Sequence, residues 1–220
     1  MATATLFAPG PLRERGRPRE FDMTAVLDAA VRVFRSRGYH AASMQDLRDA
    51  TDLASGSIYK AFADKRALFI AAFDRYVSER MRMRAMALQA RSSGREKLRE
   101  LLLLYALSSA GAEGRLGCLV VGSVVALTTF DTDLNGLVRR TLGRTEDCLA
   151  DLVREGCADG SLLPDLNASD QARFLLCLMQ GMRVVGKTGR TTREMKAMVE
   201  LALRPISQDS QPTRQAESVD

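Results

Sequence analysis

From Phe21 onward the apolar residues recur at the three-and-four spacing of a helix, and nowhere do they alternate with the period of two that a half-buried strand requires. That spacing sets the fold class as all-α. Composition agrees: Ala, Leu, Arg and Met are abundant, aromatic residues make up 5% and Trp is absent. With 46% apolar residues, 220 residues suffice for a sizeable buried core.

The pattern predicts about nine helices. Asp22 caps the first, with Val26, Leu27, Ala30, Val33 and Phe34 facing inward and Gly38 ending it. Ser43 caps a short second helix with Leu47 and Ala50 inward. A break at Thr51–Asp52–Leu53 leads to a third, over about 55–62. Asp64 caps a long fourth helix reaching about residue 90, with Leu68, Phe69, Ala72, Phe73 and Tyr76 on its early apolar face. After Ser92–Ser93–Gly94 further helices are expected at about 95–110, 115–130, 133–158, 168–187 and 192–204, the last opened by a Thr191/Glu194 capping box. The second and third helices are too short to stand alone and must pack on the first and fourth. One face of the third is then left to solvent.

Charge adds a second constraint. The net charge is +5, and residues 11–20, PLRERGRPRE, place Arg13, Arg15, Arg17 and Arg19 in a stretch broken by two prolines and a glycine. Such a stretch is either a basic arm lying along phosphates or in a minor groove, or a solvated tail. The first 66 residues carry eleven cations against eight acids, a net of +3. That is modest for a non-specific architectural DNA binder.

The four cysteines, Cys118, Cys148, Cys157 and Cys177, are too far apart for a CxxC motif and are expected to be reduced in a cytoplasmic protein. One histidine and no paired cysteines leave few soft ligands, so neither metal nor cofactor is expected. The longest uncharged run, Leu116 to Phe130, has 15 residues, below the roughly 20 that span a bilayer, so no membrane partner is expected. No Ser/His/Asp set or Gly-rich phosphate loop points to catalysis.

The run from Ala29 to Phe69 closely resembles the DNA-binding domain of the TetR family. The matching residues are Ala29–Ala30 and Phe34, Gly38–Tyr39, Ser43, Gly56–Ser57–Ile58–Tyr59, Phe62, and Lys65 with Leu68, thirteen positions over 41 residues. The resemblance implies a homodimeric transcriptional repressor, an activator of the same fold being the alternative and a helical enzyme a remote one. It implies a helix-turn-helix domain at 21–66 and an effector-binding and dimerisation domain at 67–206, while composition makes 1–20 a flexible arm and 207–220 a disordered tail. The second short helix of a helix-turn-helix enters the major groove. By position, Ser57 and Lys60 are then candidates for base edges, and Ser55 and Gly56 lie near the DNA. Tyr59, Ser43 and Lys65 are candidates for phosphate, with Gln45, Arg17 and Arg19 as backbone contacts. For Tyr59 and Lys60, a core ring and a solvated charge are the alternatives. Asp52 departs from the family, which usually has glycine there. Asp tolerates a positive φ, but its carboxylate would oppose phosphate.

By the same resemblance, Phe174, Leu178, Met182, Val185, Met195, Met198 and Val199 form a dimer interface, an intramolecular core stripe being the alternative. Met83, Met86, Leu103, Leu107, Phe130 and Leu149 are candidates to line a pocket for a small apolar effector, though core packing explains them equally. Gly117–Cys118–Leu119–Val120–Val121 resembles a stretch found in some TetR-type regulators that respond to electrophiles or copper. With Arg115 nearby and a helix starting there, Cys118 is either a reactive sensor or a small buried apolar residue.

Overall fold

In a computed structural model of the protein, residues 22–53, 55–127 and 132–208 are described. They form α1 Met23–Ala41, α2 Met44–Thr51, α3 Ser55–Ala61, α4 Lys65–Gln89, α5 Gly94–Ser108, α6 Gly111–Leu116, α7 Leu119–Leu127, α8 Thr132–Ala158, α9 Ala168–Gly186 and α10 Thr192–Leu203, followed by a 3-10 turn at Arg204–Ile206. No strand occurs among the described residues, where the only β feature is an isolated bridge between Leu162 and Ser207. None of the described helices is long and apolar enough to cross a membrane.

Among the described residues ten helices stand where about nine were expected: the short α6 fills the gap expected between 110 and 115, and the helix expected over 115–130 starts only after an interruption at Gly117. Its φ of +88° is open to glycine and costly for other residues. Gly38, at φ +78°, kinks α1 rather than ending it, and one further turn runs to Ala41. The expected caps form. The Asp22 carboxylate accepts from the N–H groups of Thr24 and Ala25, Asp64 accepts from Ala67, and Thr191 and Glu194 close a reciprocal capping box.

The buried face of α1 is wider than its apolar spacing suggests. Val26, Ala30 and Phe34 are buried as expected, Leu27 and Val33 are half-buried, and Ala29, Val31 and Arg35 are buried as well. The cause is tertiary, since α1 packs not only on α2 and α4 but also on α7. On α2, Leu47 is buried while Ala50 is exposed. All five apolar residues expected on the early face of α4 are buried.

Two cores result. The first gathers Phe34, Leu47, Ile58, Phe69 and Phe73, and is closed by Leu119 of α7 and Leu134 of α8. The second holds Leu98, Leu102, Leu149, Leu175, Met179 and Val199. The core that fixes the first three helices therefore continues well past residue 66. At the other end, Ser207 is buried and not part of a loose tail. Its hydroxyl donates to the Leu203 carbonyl and accepts from Arg95 Nε, both at 2.8 Å. Close helix crossings depend on glycine: a Cβ on Gly186 or Gly114 would overlap the Ser109 carbonyl oxygen.

Candidate nucleic-acid interface and interior cavity

The short helix α3 is held by one face. Ile58 is buried and Phe62, just past its end, is half-buried against the first core, which leaves Gly56, Tyr59 and Lys60 exposed and Ser57 half-buried. Tyr59 is 54% exposed, so its ring belongs to the surface rather than the core. The turn that aims α3 contains Asp52 at φ +54°, ψ +29°, the only non-glycine residue with positive φ among the described residues. The side chain of Ser55, and Arg17 and Arg19, lie outside what is described.

Three of the expected phosphate contacts are engaged elsewhere. Ser43 donates both its N–H and its hydroxyl to the Asp46 carboxylate, at 2.9 and 2.8 Å, and accepts the Asp46 N–H. Those donations hold the Asp46 carboxyl below its ordinary value. Neither Ser43 donor is free for phosphate, so Ser43 caps α2. The Lys65 ammonium is also turned inward. It donates to the Ala42 carbonyl at 3.1 Å and sits 4.7 Å from the centre of the Tyr39 ring, fastening α4 to the α1–α2 turn. Gln45 is exposed, but its amide bonds to Asp49 and Arg48 on its own helix. His40, with Nε2 3.2 Å from the Ala126 carbonyl, meets α7.

Between α1, α4, α5, α6, α7, α8 and α9 lies a cavity of about 540 Å³. Of the pocket candidates, Met83, Leu107 and Cys118 line it. Met86 is exposed outside it, Leu149 is fully buried in the second core and Leu103 packs against that core. Phe130 lies outside the described residues. A purely apolar lining was expected, yet Arg35, Arg75, Arg80, Arg84, Arg144 and Arg183 all contribute to the wall.

Arg35 was missed by apolar spacing, although it falls four residues after Val31 on the same stripe. It is buried on α1. Its Nε donates to the Gly117 carbonyl at 2.8 Å and its Nη2 to Glu113 Oε1 at 2.7 Å, where Arg80 of α4 donates at 2.8 Å. Partial burial pushes the Glu113 carboxyl up, but the hydrogen bonds and charges of Arg35 and Arg80 outweigh it and hold it below the usual range. Beside this junction the Tyr76 hydroxyl lies 3.7 Å from Cys118 Sγ. Burial, reinforced by Cys118, pushes that hydroxyl up to about 12, so it stays neutral and can donate to sulfur. The cation expected beside the thiol is elsewhere, since the exposed Arg115 extends toward Gly189.

On α9, Phe174, Cys177, Gly181, Val184 and Val185 are exposed and Leu178 is half-buried, all at spacings of three or four. Met198 and Leu201 of α10 are exposed too. Three of the expected interface residues are corrected. Met182 and Met195 are 2% exposed and Val199 is fully buried, each within the protomer's own core.

Residues 26–72 match the family model described as bacterial regulatory proteins of the tetR family. A cysteine mutant of the TetR family regulator CifR, solved with 26 bp operator DNA, is 32% identical, covering 86% of this chain and 98% of that one, with a TM-score of 0.76. The chain belongs to the TetR family. The transcriptional repressor ComR of Escherichia coli K12 is 26% identical over 87% of this chain and 92% of its own. The transcriptional activator FasR of Mycolicibacterium smegmatis is 33% identical over 92 residues, 42% of each chain. As a TetR-family protein the chain is a DNA-binding transcriptional regulator rather than an enzyme. Helices α2 and α3 lie within the residues that the family model matches.

Proposed function

We propose that this protein is a cytoplasmic transcriptional repressor that binds a palindromic operator as a homodimer and leaves it when the interior cavity is filled or Cys118 is modified. Ser57 and Lys60 read base edges, with Gly56 allowing close approach. Tyr59 and the arginine arm, including Arg17 and Arg19, engage phosphate, with Gln45 at the edge of the contact. The dimer forms through the exposed stripe of Phe174, Leu178, Gly181 and Val185 on α9 with Met198 on α10. The chain divides functionally into the arm at 1–20, the reading domain at 21–66, the ligand and dimer domain from 67 through the buried Ser207, and the tail that follows.

One observation carries the release mechanism: the cavity wall includes Val31 and Arg35 of α1 together with residues of α4, α5, α8 and α9. Whatever fills the cavity pushes directly on the helix that supports the reading head. The two recognition helices of a dimer must match major grooves about 34–36 Å apart, so a shift of a few ångströms loses binding. Modification of Cys118 acts on the same wall, because its sulfur meets Tyr76 of α4.

The test is fluorescence anisotropy on DNA from upstream of the protein's own gene, reduced and then treated with a mild thiol oxidant. Release that is reversed by reductant and absent in Cys118→Ser supports the thiol route, and tight binding throughout removes it. In vitro transcription from the same DNA distinguishes repression from activation, FasR being a transcriptional activator. Fewer transcripts with added protein support the proposal, and more overturn it.

A further inference from the structure

The cavity wall carries more positive charge than its own carboxylates neutralise. Asp28 pairs with Arg75 at 3.0 Å, and Glu113 serves Arg35 and Arg80 together. Glu79 pairs with Arg82 at 2.7 Å. Arg84, Arg144 and Arg183 form no ion pair among the described residues.

Arg183 is the telling member of this group. It is 6% exposed, and its one hydrogen bond among the described residues is from Nη1 to the Ser108 carbonyl at 2.6 Å. Its Nε is the only buried side-chain nitrogen or oxygen among the described residues without a partner. A buried guanidinium held by one backbone carbonyl is costly unless a negative charge comes to it. Its guanidinium lies 5.1 Å from the centre of the Tyr105 ring. Burial pushes the Tyr105 hydroxyl above its ordinary value, against the opposing influence of Arg183, Thr145 and Arg84. Tyr105, Arg183, Thr145 and Arg84 all line the same cavity. The rest of the wall is aliphatic, with Val31, Val77, Leu104, Leu107 and Leu142 among its residues.

We propose that the cavity takes an organic monoanion, an apolar body bearing a carboxylate, with the carboxylate at the Arg183 guanidinium and Arg84 as the second cation of the same wall. A carboxylate gives the planar guanidinium of Arg183 the paired acceptors it lacks. The aliphatic wall removes the apolar body from water. The inference rests on the cavity being the effector site, and it names the class of effector.

The experiment is isothermal titration calorimetry on the full chain with two anion probes of different shape, decanoate and phenylbutyrate. Each is compared with the alcohol and the amine of the same skeleton. At least one anion should bind roughly tenfold or more tighter than its alcohol, and the amine weakest. Arg84→Gln, half-exposed and without an ion pair among the described residues, should erase the anion's advantage over the alcohol, even if Arg183→Gln fails to fold. Equal binding within a skeleton, preference for the amine, no binding of either anion, or an Arg84→Gln protein that keeps the preference overturns the proposal. Operator anisotropy on the same samples separates the two readings. An anion that binds without releasing DNA refutes the release mechanism and leaves the ligand class standing. Release by the neutral or cationic probes alone does the reverse.

Discussion

Glu113→Gln tests the junction that joins the reading head to the rest of the protein. In the folded state Oε1 accepts from Arg35 at 2.7 Å and from Arg80 at 2.8 Å, and Arg35 is almost wholly buried. Breaking a fully buried ion pair costs about 3–5 kcal/mol. The Glu113 side chain is 43% exposed, so solvent screens a large part of that, leaving about 1–2 kcal/mol. For a chain of this size each kcal/mol moves the midpoint by about 2–4 °C, so calorimetry at neutral pH should find Tm lower by about 2–8 °C. The pH dependence supplies a second check. Because the folded carboxyl titrates below its unfolded value of about 4.3, its contribution is complete above that value and is lost as the pH falls through the depressed folded value. The gap between the two proteins should therefore be constant around neutrality and close in acid. A Tm loss under about 1 °C at neutral pH, or a gap that persists in acid, would refute the reasoning.

Other outcomes follow from the same geometry. Asp52→Gly should gain up to about 1 kcal/mol of stability by relieving the left-handed backbone and should tighten operator binding by removing a carboxylate from the reading head. Unchanged or weaker anisotropy titrations would sink the second part. Lys60→Ala should cost about 1–3 kcal/mol of operator affinity with Tm unchanged, whereas Lys65→Met should lower Tm, because its ammonium holds the Ala42 carbonyl. If both lose affinity alone, Lys65 contacts DNA after all. Gly186→Ala should destabilise the chain by about 1–3 kcal/mol, since its new methyl meets the Ser109 carbonyl. Gly181→Ala meets nothing within the protomer, so it should stabilise the monomer by about 0.4–1 kcal/mol through helix propensity while weakening dimerisation in sedimentation experiments.

Much of the DNA-binding head was legible in the sequence because it is governed by local rules. Asp22, Ser43 and Asp64 cap helices as their neighbours dictate, over three or four residues of chain. Asp52 takes the left-handed conformation that a two-helix turn demands. The exposed side of α3 follows from two apolar anchors, Ile58 and Phe62, in a helix too short to stand alone.

What escaped the sequence depends on partners far along the chain. Arg35 is polar, yet it is buried because Glu113 and Gly117, some eighty residues away, satisfy it. Ser43 and Lys65 look like phosphate ligands until their local and tertiary hydrogen bonds are seen to use their donors. Met182, Met195 and Val199 share a helical stripe with Phe174 and Met198, and periodicity cannot divide such a stripe between a protomer's own core and its outer face. The neighbouring helices make that division. The sequence by itself determined the helices, their caps and the exposed face of α3, because hydrogen bonding and apolar spacing act over one or two turns. Only the tertiary structure decided where the cavity lies and that arginines line it, because side chains from seven helices must meet before a wall exists or its charge can be weighed.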